Sequence, residues 1–419
     1  LAEAGHEVTG LDHEAATVAR LGQGQAPISE PGLNDLLARN LAAGRLSFTT
    51  DATVVSSAEV VWVAHDTPVD SEDRADVGFV TQQVERLFPH LCAGCVVLIS
   101  AQVPVGTAAR LETAFRLARP GVAVSFACSP ENLRLGKAIQ VFSQPDRVVV
   151  GVRDDGAKAC IAALLAPITD RIEWMSVESA EMTKHALNAF LAVSVTFANE
   201  IASVCEQVGA DAKEVERGLK SEMRIGPRAY LAPGAAFAGG TLARDIAFLS
   251  GLGQTHGLEL PLVASVRPSN QAHKHWARRR LGQALGTLHG TQVAVWGLTY
   301  KPGTDTLRRS ASVELCEDLA AQGVRVLAFD PAVKALPAEL ASKLHLAQSA
   351  LEAVAGASAL VVATEWPDFR DVDVDSVVSA MKRKLVLDPN RFLAAKLGSR
   401  NDVEYLAVGV PGRKETSRG

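Results

Sequence analysis

Leu1-Ala-Glu-Ala-Gly-His-Glu-Val-Thr-Gly-Leu-Asp12 is the stretch whose reading decides the fold. Residues 1–5 read as the end of a helix, with glycine as its stop. Residues 7–11 read as a strand that ends at Asp12. A helix closed by glycine, then a strand ending in a carboxylate, is the middle of a βαβ dinucleotide-binding unit. There the carboxylate accepts hydrogen bonds from ribose hydroxyls. Taken alone, Asp12 reads at least as well as the plain end of a strand. The Gly-x-Gly-x-x-Gly turn of such a unit is expected upstream of residue 1.

Outward from there the pattern alternates. Helices are expected at residues 15–21, 32–43, 77–88 and 108–117, and apolar strands at 60–64, 95–99, 122–127 and 147–151. This alternation predicts a parallel sheet covered on both faces. Such sheets bind ligands at the carboxyl ends of their strands, where Asp12, Thr67, Gln102 and Glu131 stand. Apolar spacings of three and four then predict one long helix over residues 179–208, capped by Ser176 or Ser179 and stopped by Gly209. Glu181, Lys184 and Asn188 share a face of it. A shared charged face is usually solvated surface, and a helix this long and apolar also suits a dimer interface. A second α/β pattern has strands at 292–296, 325–329, 359–363 and 385–387. The fold class is α/β: two Rossmann-like parallel-sheet domains joined by a long central helix and a helical dimerisation region. The expected boundaries are 1–177, 178–285 and 286–411, with a disordered charged tail at 412–419.

Bulk properties narrow the function. A chain of 419 residues holds two or three full domains, and 47% apolar with 21% charged residues is ordinary globular composition. A net charge of −5 disfavours nucleic acid and membrane surfaces as partners. No continuous apolar run approaches the roughly 20 residues that span a bilayer. Six cysteines in such a chain predict a reducing, cytoplasmic setting rather than a disulfide framework. Cys92-Ala-Gly-Cys95 lacks a second ligand pair, so coincidence outweighs a metal site, and none is expected.

The segment Tyr230-Leu-Ala-Pro-Gly-Ala-Ala-Phe-Ala-Gly-Gly-Thr-Leu-Ala-Arg-Asp245 is small-residue loop leading into a helix expected to start near Asp245. It reads either as a domain connection or as a loop that holds a phosphate-bearing ligand.

Several stretches together carry a resemblance. They include Pro31-Gly-Leu33, Val103-Pro-Val-Gly-Thr107, Pro130-Glu131, Ser179-Ala-Glu-Met-x-Lys184, Asn188-Ala-Phe-Leu191, Asn199-Glu-Ile201, Arg224-Ile-Gly-Pro227, Lys301-Pro and Thr364-Glu-Trp-Pro367. From residue 1 to about 395 the chain resembles the UDP-glucose/GDP-mannose dehydrogenase family. The resemblance implies an NAD-binding domain, a central dimerisation segment around the 230–245 active-site loop, and a C-terminal nucleotide-sugar (UDP)-binding domain. It implies a homodimer, NAD as cofactor and a nucleotide-sugar substrate. Members usually oxidise a primary alcohol to a carboxylate with two NAD, trapping the aldehyde on a cysteine.

Residue by residue, the resemblance gives Lys184, Asn188, Asp245, Glu131 and Thr241 catalytic positions. Lys184 and Asn188 would stabilise a developing alkoxide. Asp12, Thr67, Gln102, Arg244 and Arg308 fall to the cofactor. Tyr230, Pro233, Gly234, Ala238 and Lys301 fall to the substrate, with Arg224 reaching the partner subunit's site. The departures are Thr241 where the family has its cysteine, Gln102 where it has a threonine tied to water activation, and Leu135 where it has a second glutamate. If the Gly-Gly pair is aligned with a gap, Leu242 takes the cysteine's place instead. These losses fall on aldehyde capture and hydrolysis. The expected activity is therefore an NAD-dependent oxidation of a nucleotide-diphosphate sugar that can end after one two-electron step. The rival is a non-catalytic homologue that binds NAD or nucleotide sugar.

Overall fold

The computed structural model describes residues 1–28, 30–68, 75–133, 136–238 and 240–411. Leu135 and the 412–419 tail lie outside them. The chain packs as two compact units, Leu1–Leu187 and Asn188–Gly419.

In the first unit Gly5, at φ 98°, closes the short turn Ala2–Ala4 and releases the chain into β1 (Val8–Leu11). A left-handed stop needs glycine there. β1 pairs in parallel with β2 (Leu46–Thr49). A five-stranded sheet has the order β3 (Val60–Val63), β4 (Val96–Ile99), β5 (Ser125–Cys128), β6 (Val148–Gly151), β7 (Ile172–Met175). β4 is buried along its whole length, as a strand covered on both faces must be. Phe88, Phe115 and Phe126 pack together on one side. Leu98, Ile161 and Leu165 fill the other.

The expectation of an all-parallel sheet fails at one joint. β6 meets β5 antiparallel, through Cys128 and Gly151. Among its described residues the intervening stretch carries one short helix, Ala138–Ser143; an antiparallel neighbour needs no full crossover, which only parallel neighbours require. β2 and β7 also escape sequence reading. Leu-Ser-Phe-Thr and Ile-Glu-Trp-Met are four-residue strands interrupted by polar residues, so neither shows the continuous apolar run that marks β4.

The second unit holds a six-stranded, fully parallel sheet: β10 (Leu344–Leu346), β9 (Arg325–Phe329), β8 (Gln292–Trp296), β11 (Ala359–Val362), β12 (Leu385–Leu387), β13 (Glu404–Leu406). Trp296 stacks on Phe369 in its core, with ring centroids 4.9 Å apart.

The long helix runs Val177–Val208. Ser176 Oγ accepts from Ser179 N at 3.3 Å, and Gly209 ends it at φ 82°. By length and composition alone this helix is long and apolar enough to cross a bilayer, although no continuous apolar run in it approaches the roughly 20 residues of a span. Yet 44% of its most apolar window is packed inside protein, and Glu181, His185, Asn188 and Asn199 on it are buried.

The helix after the 230–245 loop begins at Gly240 rather than near Asp245. Leu242, Ile246 and Leu249, at i, i+4 and i+7, pack on Ala189, Ala192 and Val266. That apolar stripe draws the preceding residues into helix, so Thr241, Arg244 and Asp245 all lie on it.

The C-terminal segment is tied back by charge. Arg391, at φ 59°, donates to both Asp211 oxygens, at 2.7 and 3.0 Å. Asp211 also caps the helix Ala212–Ser221 through Lys213 N. Arg391→Ala is expected to cost about 1–3 kcal/mol, read as a lower denaturant midpoint. The guanidinium holds the Asp211 carboxyl below its ordinary value. The folded value is the depressed one, so this stabilisation is present above about pH 4 and is lost as pH falls further.

Candidate active site

One face of the long helix ties down the loops at the carboxyl ends of β4 and β5. Glu181 accepts from Gly106 N at 2.6 Å and Ala108 N at 3.0 Å. It thereby satisfies the open N-terminus of helix Thr107–Ala118. Burial pushes the Glu181 carboxyl up, opposed by those two N–H groups. One turn on, His185 Nε2 meets Val103 O at 3.0 Å. A carbonyl only accepts, so Nε2 carries the proton. Lys184 donates to Glu131 O, and its Nζ stands 3.4 Å from Asn132 Oδ1. Thr67, fully buried, donates to Gln102 O at 2.7 Å.

Gln102, Cys128, Glu131, Glu181, Lys184 and His185 share the lining of one pocket. The structure thus brings Gln102, Glu131 and Lys184 together, with Thr67 bonded to Gln102. Sequence reasoning missed His185 and Cys128. Four residues from Glu181, His185 was legible as a neighbour on the same helix face. Burial pushes the Cys128 thiol far above its ordinary value, so it is a poor nucleophile.

Asp12 stands apart, at the end of β1, with Oδ1 accepting from Glu14 N at 2.8 Å. It is an acceptor-only group at a strand's carboxyl end, which suits the ribose hydroxyls of NAD and repels a 2′-phosphate. Beside it, Phe79 makes edge contacts with His13 and His65, centroids 6.3 and 6.0 Å away.

In the second unit Asn188, one turn beyond Lys184 on the helix, donates to the buried carboxylate of Asp245. The contact fixes which way the Asn188 amide faces. The loop is pinned by its backbone. Asn199 Oδ1 accepts from Gly234 N at 2.9 Å, and Asn390 Oδ1 accepts from Ala235 N at 2.7 Å. Asn270 spans both polar atoms of Phe237, each at 3.0 Å. His273 bonds Gly234 O at 2.8 Å, and burial pushes its imidazole down, keeping it neutral. A Cβ on Gly234 would lie 2.2 Å from Asn390 Oδ1, so a larger residue there would push the Asn390 amide away from Ala235 N. Asn270, His273 and Asn390 were not foreseen, because nothing in their local sequence points to a loop 33 to 155 residues earlier.

Thr241 is exposed, while its neighbour Leu242 packs into the apolar cluster. Arg244 is buried on the same helix, Ala238 and Pro233 lie within the pinned loop, and Tyr230 is exposed. Arg224 is exposed beside Glu222, 3.0 Å away. Lys301 and Arg308 lie in the loop after β8, half-buried and exposed respectively. That loop starts at Gly297, φ 91°, where a Cβ would meet Thr364 at 2.3 Å.

Sequence models of three family domains match in order. They are the NAD binding domain of the UDP-glucose/GDP-mannose dehydrogenase family at residues 1–169, its central domain at 178–272 and its UDP binding domain at 294–395. The UDP-glucose 6-dehydrogenase of Rhizobium meliloti is 35% identical over 98% of this chain and 95% of its own length. That of Pseudomonas aeruginosa is 36% identical over 98% and 94%. The structure of a UDP-glucose dehydrogenase from Pyrobaculum islandicum superimposes with a TM-score of 0.84 at 31% identity, covering 92% of this chain and 89% of that one. The chain belongs to the UDP-glucose/GDP-mannose dehydrogenase family of NAD-dependent nucleotide-sugar dehydrogenases.

Proposed function

We propose that this protein oxidises a primary alcohol of a UDP-sugar with NAD and stops at the aldehyde. The observation that carries the reading is Thr241. Leu242 is packed into the cluster of Ala189, Ala192, Ile246 and Val266, so the exposed position on the first turn of that helix is Thr241's. A hydroxyl is a far weaker nucleophile than a thiol unless a base activates it. No cysteine lies between Cys205 and Cys316 in the chain, so the loop offers no substitute.

NAD, when bound, accepts one hydride. Lys184 and Asn188 supply fixed positive charge and an amide donor to the oxygen that becomes alkoxide-like. Asp245 holds Asn188 and takes part in proton removal. Asp12 receives the adenosine ribose. Tyr230, the 233–238 loop and Lys301 receive the nucleotide sugar. The long helix exposes Phe190, Phe197 and Val204 at spacings of seven, 66%, 46% and 56% accessible. Such a stripe supports a homodimer, with Arg224 serving the partner's site. A reducing cytoplasm is part of the same reading, consistent with six unpaired cysteines.

The test is a panel of UDP- and GDP-sugars with NAD, following NADH absorbance and trapping aldehyde with a hydrazine reagent. NADH and a trapped aldehyde from a UDP-sugar are expected. Calorimetric binding of nucleotide sugar with no NADH from any member would favour the non-catalytic alternative.

A further inference from the structure

We infer that Glu30, a residue outside every assigned group above, is a positioning residue for Lys184. Glu30 sits in the irregular stretch before helix Leu33–Ala42 and is only 9% exposed. A carboxylate this buried must be matched by donors. Its Oε2 accepts from Gly136 N at 2.5 Å and its Oε1 from Ala138 N at 2.7 Å, more than 100 residues downstream. Its own carbonyl accepts from Leu33 N at 3.1 Å, which fixes its backbone to the start of that helix.

The two N–H groups lie at the far end of the connection from β5 to helix Ala138–Ser143, of which residues 134 and 135 lie outside the described residues. The near end of that loop is held by Ser100 Oγ, which donates to Ser129 O at 2.5 Å. Along it, Glu131 O and Asn132 Oδ1 face the Lys184 ammonium. Pro130 and Glu131 line the same pocket as Lys184. Glu30 therefore anchors the back of a loop whose front carries partners of Lys184. With the back released, Glu131 O would no longer hold a fixed place, and the ammonium would lose its set direction. Position matters at this scale, because small misplacements of a charged group reduce transition-state stabilisation steeply. The carboxylate does its work by accepting two backbone N–H bonds at once, so glutamine, with one acceptor oxygen, should restore part of the effect.

The inference rests on the proposed oxidation for its catalytic consequence, and on geometry alone for the anchoring. Both are measured on the full chain in wild type, Glu30→Gln and Glu30→Ala. Hydrogen exchange reads the amides of Gly136 and Ala138. Acetylation with acetic anhydride, which transfers acetyl to Nζ and releases acetate, followed by mass spectrometry, reads Lys184. In Glu30→Ala, exchange at both amides should rise at least tenfold and the Lys184 labelling rate at least threefold, with Glu30→Gln between. On any sugar that wild type turns over, kcat should fall about tenfold while NAD affinity stays within twofold. Unchanged exchange or unchanged Lys184 labelling in Glu30→Ala overturns the inference. So does a loss of NAD affinity that matches the loss of kcat, which would mark a general defect. If wild type turns over no sugar, the functional reading fails while exchange and labelling still decide the role of Glu30.

Discussion

Lys184→Ala is expected to lower kcat about 100- to 1000-fold on whichever UDP-sugar the wild type oxidises. The side chain ends at a pocket wall, where its Nζ is directed by Glu131 O and Asn132 Oδ1. A fixed ammonium stabilises negative charge that develops on the sugar oxygen only as the hydride leaves, so its loss should fall on kcat rather than on NAD binding. The expected result is a NAD dissociation constant within about threefold of wild type. Folding should be little affected, because the residue lies inside the helix Val177–Val208, and alanine is the best helix former. Steady-state kinetics with a melting curve as control decide it. A variant that keeps wild-type kcat would remove Lys184 from the reaction.

Thr241→Cys is the second large effect, and it is a gain. A thiol at this exposed first-turn position of a helix should ionise more readily than a free cysteine. It can add to the carbon of the aldehyde formed in the first oxidation, and the resulting thiohemiacetal is itself oxidisable. With Gln102 and Leu135 unchanged, hydrolysis should stay slow, so the sugar should accumulate on the protein. Intact-mass spectrometry after incubation with NAD and the UDP-sugar should show one sugar nucleotide added per chain in Thr241→Cys and none in wild type. An identical adduct on wild type would mean that another residue supplies the nucleophile.

Much of the fold was legible because its signals are local. β4 is apolar from end to end and β8 is apolar after Gln292, Gly5 and Gly209 stop their elements at positive φ, and the apolar spacing on Val177–Val208 runs for eight turns and more. What escaped depended on tertiary context. β2 and β7 are strands only because a neighbour pairs with them. The antiparallel joint of β5 with β6 is set by the path of the connection, not by its composition. The early start of the helix Gly240–Thr255 follows from the cluster its Leu242 and Ile246 find, and two glycines at its head hid it.

The site divides in the same way. Motif context makes Lys184, Asn188, Asp245 and Glu131 candidates from sequence, and helix spacing puts Glu181 on one face with Lys184 and Asn188. The groups that hold the loops have no such signal. Asn390 reaches Ala235 across 155 residues, and Glu30 reaches Gly136 across 106. No spacing rule relates such pairs. Their bonds are to backbone, so the partner's side chain leaves no trace in the sequence.

The measurement that bears most directly on the account is the number of NADH formed per UDP-sugar consumed by the wild-type chain, with the product identified by mass spectrometry. The account predicts one NADH and an aldehyde or its hydrate. Two NADH and a carboxylate would contradict it, because Thr241 would then not be the barrier to the second oxidation.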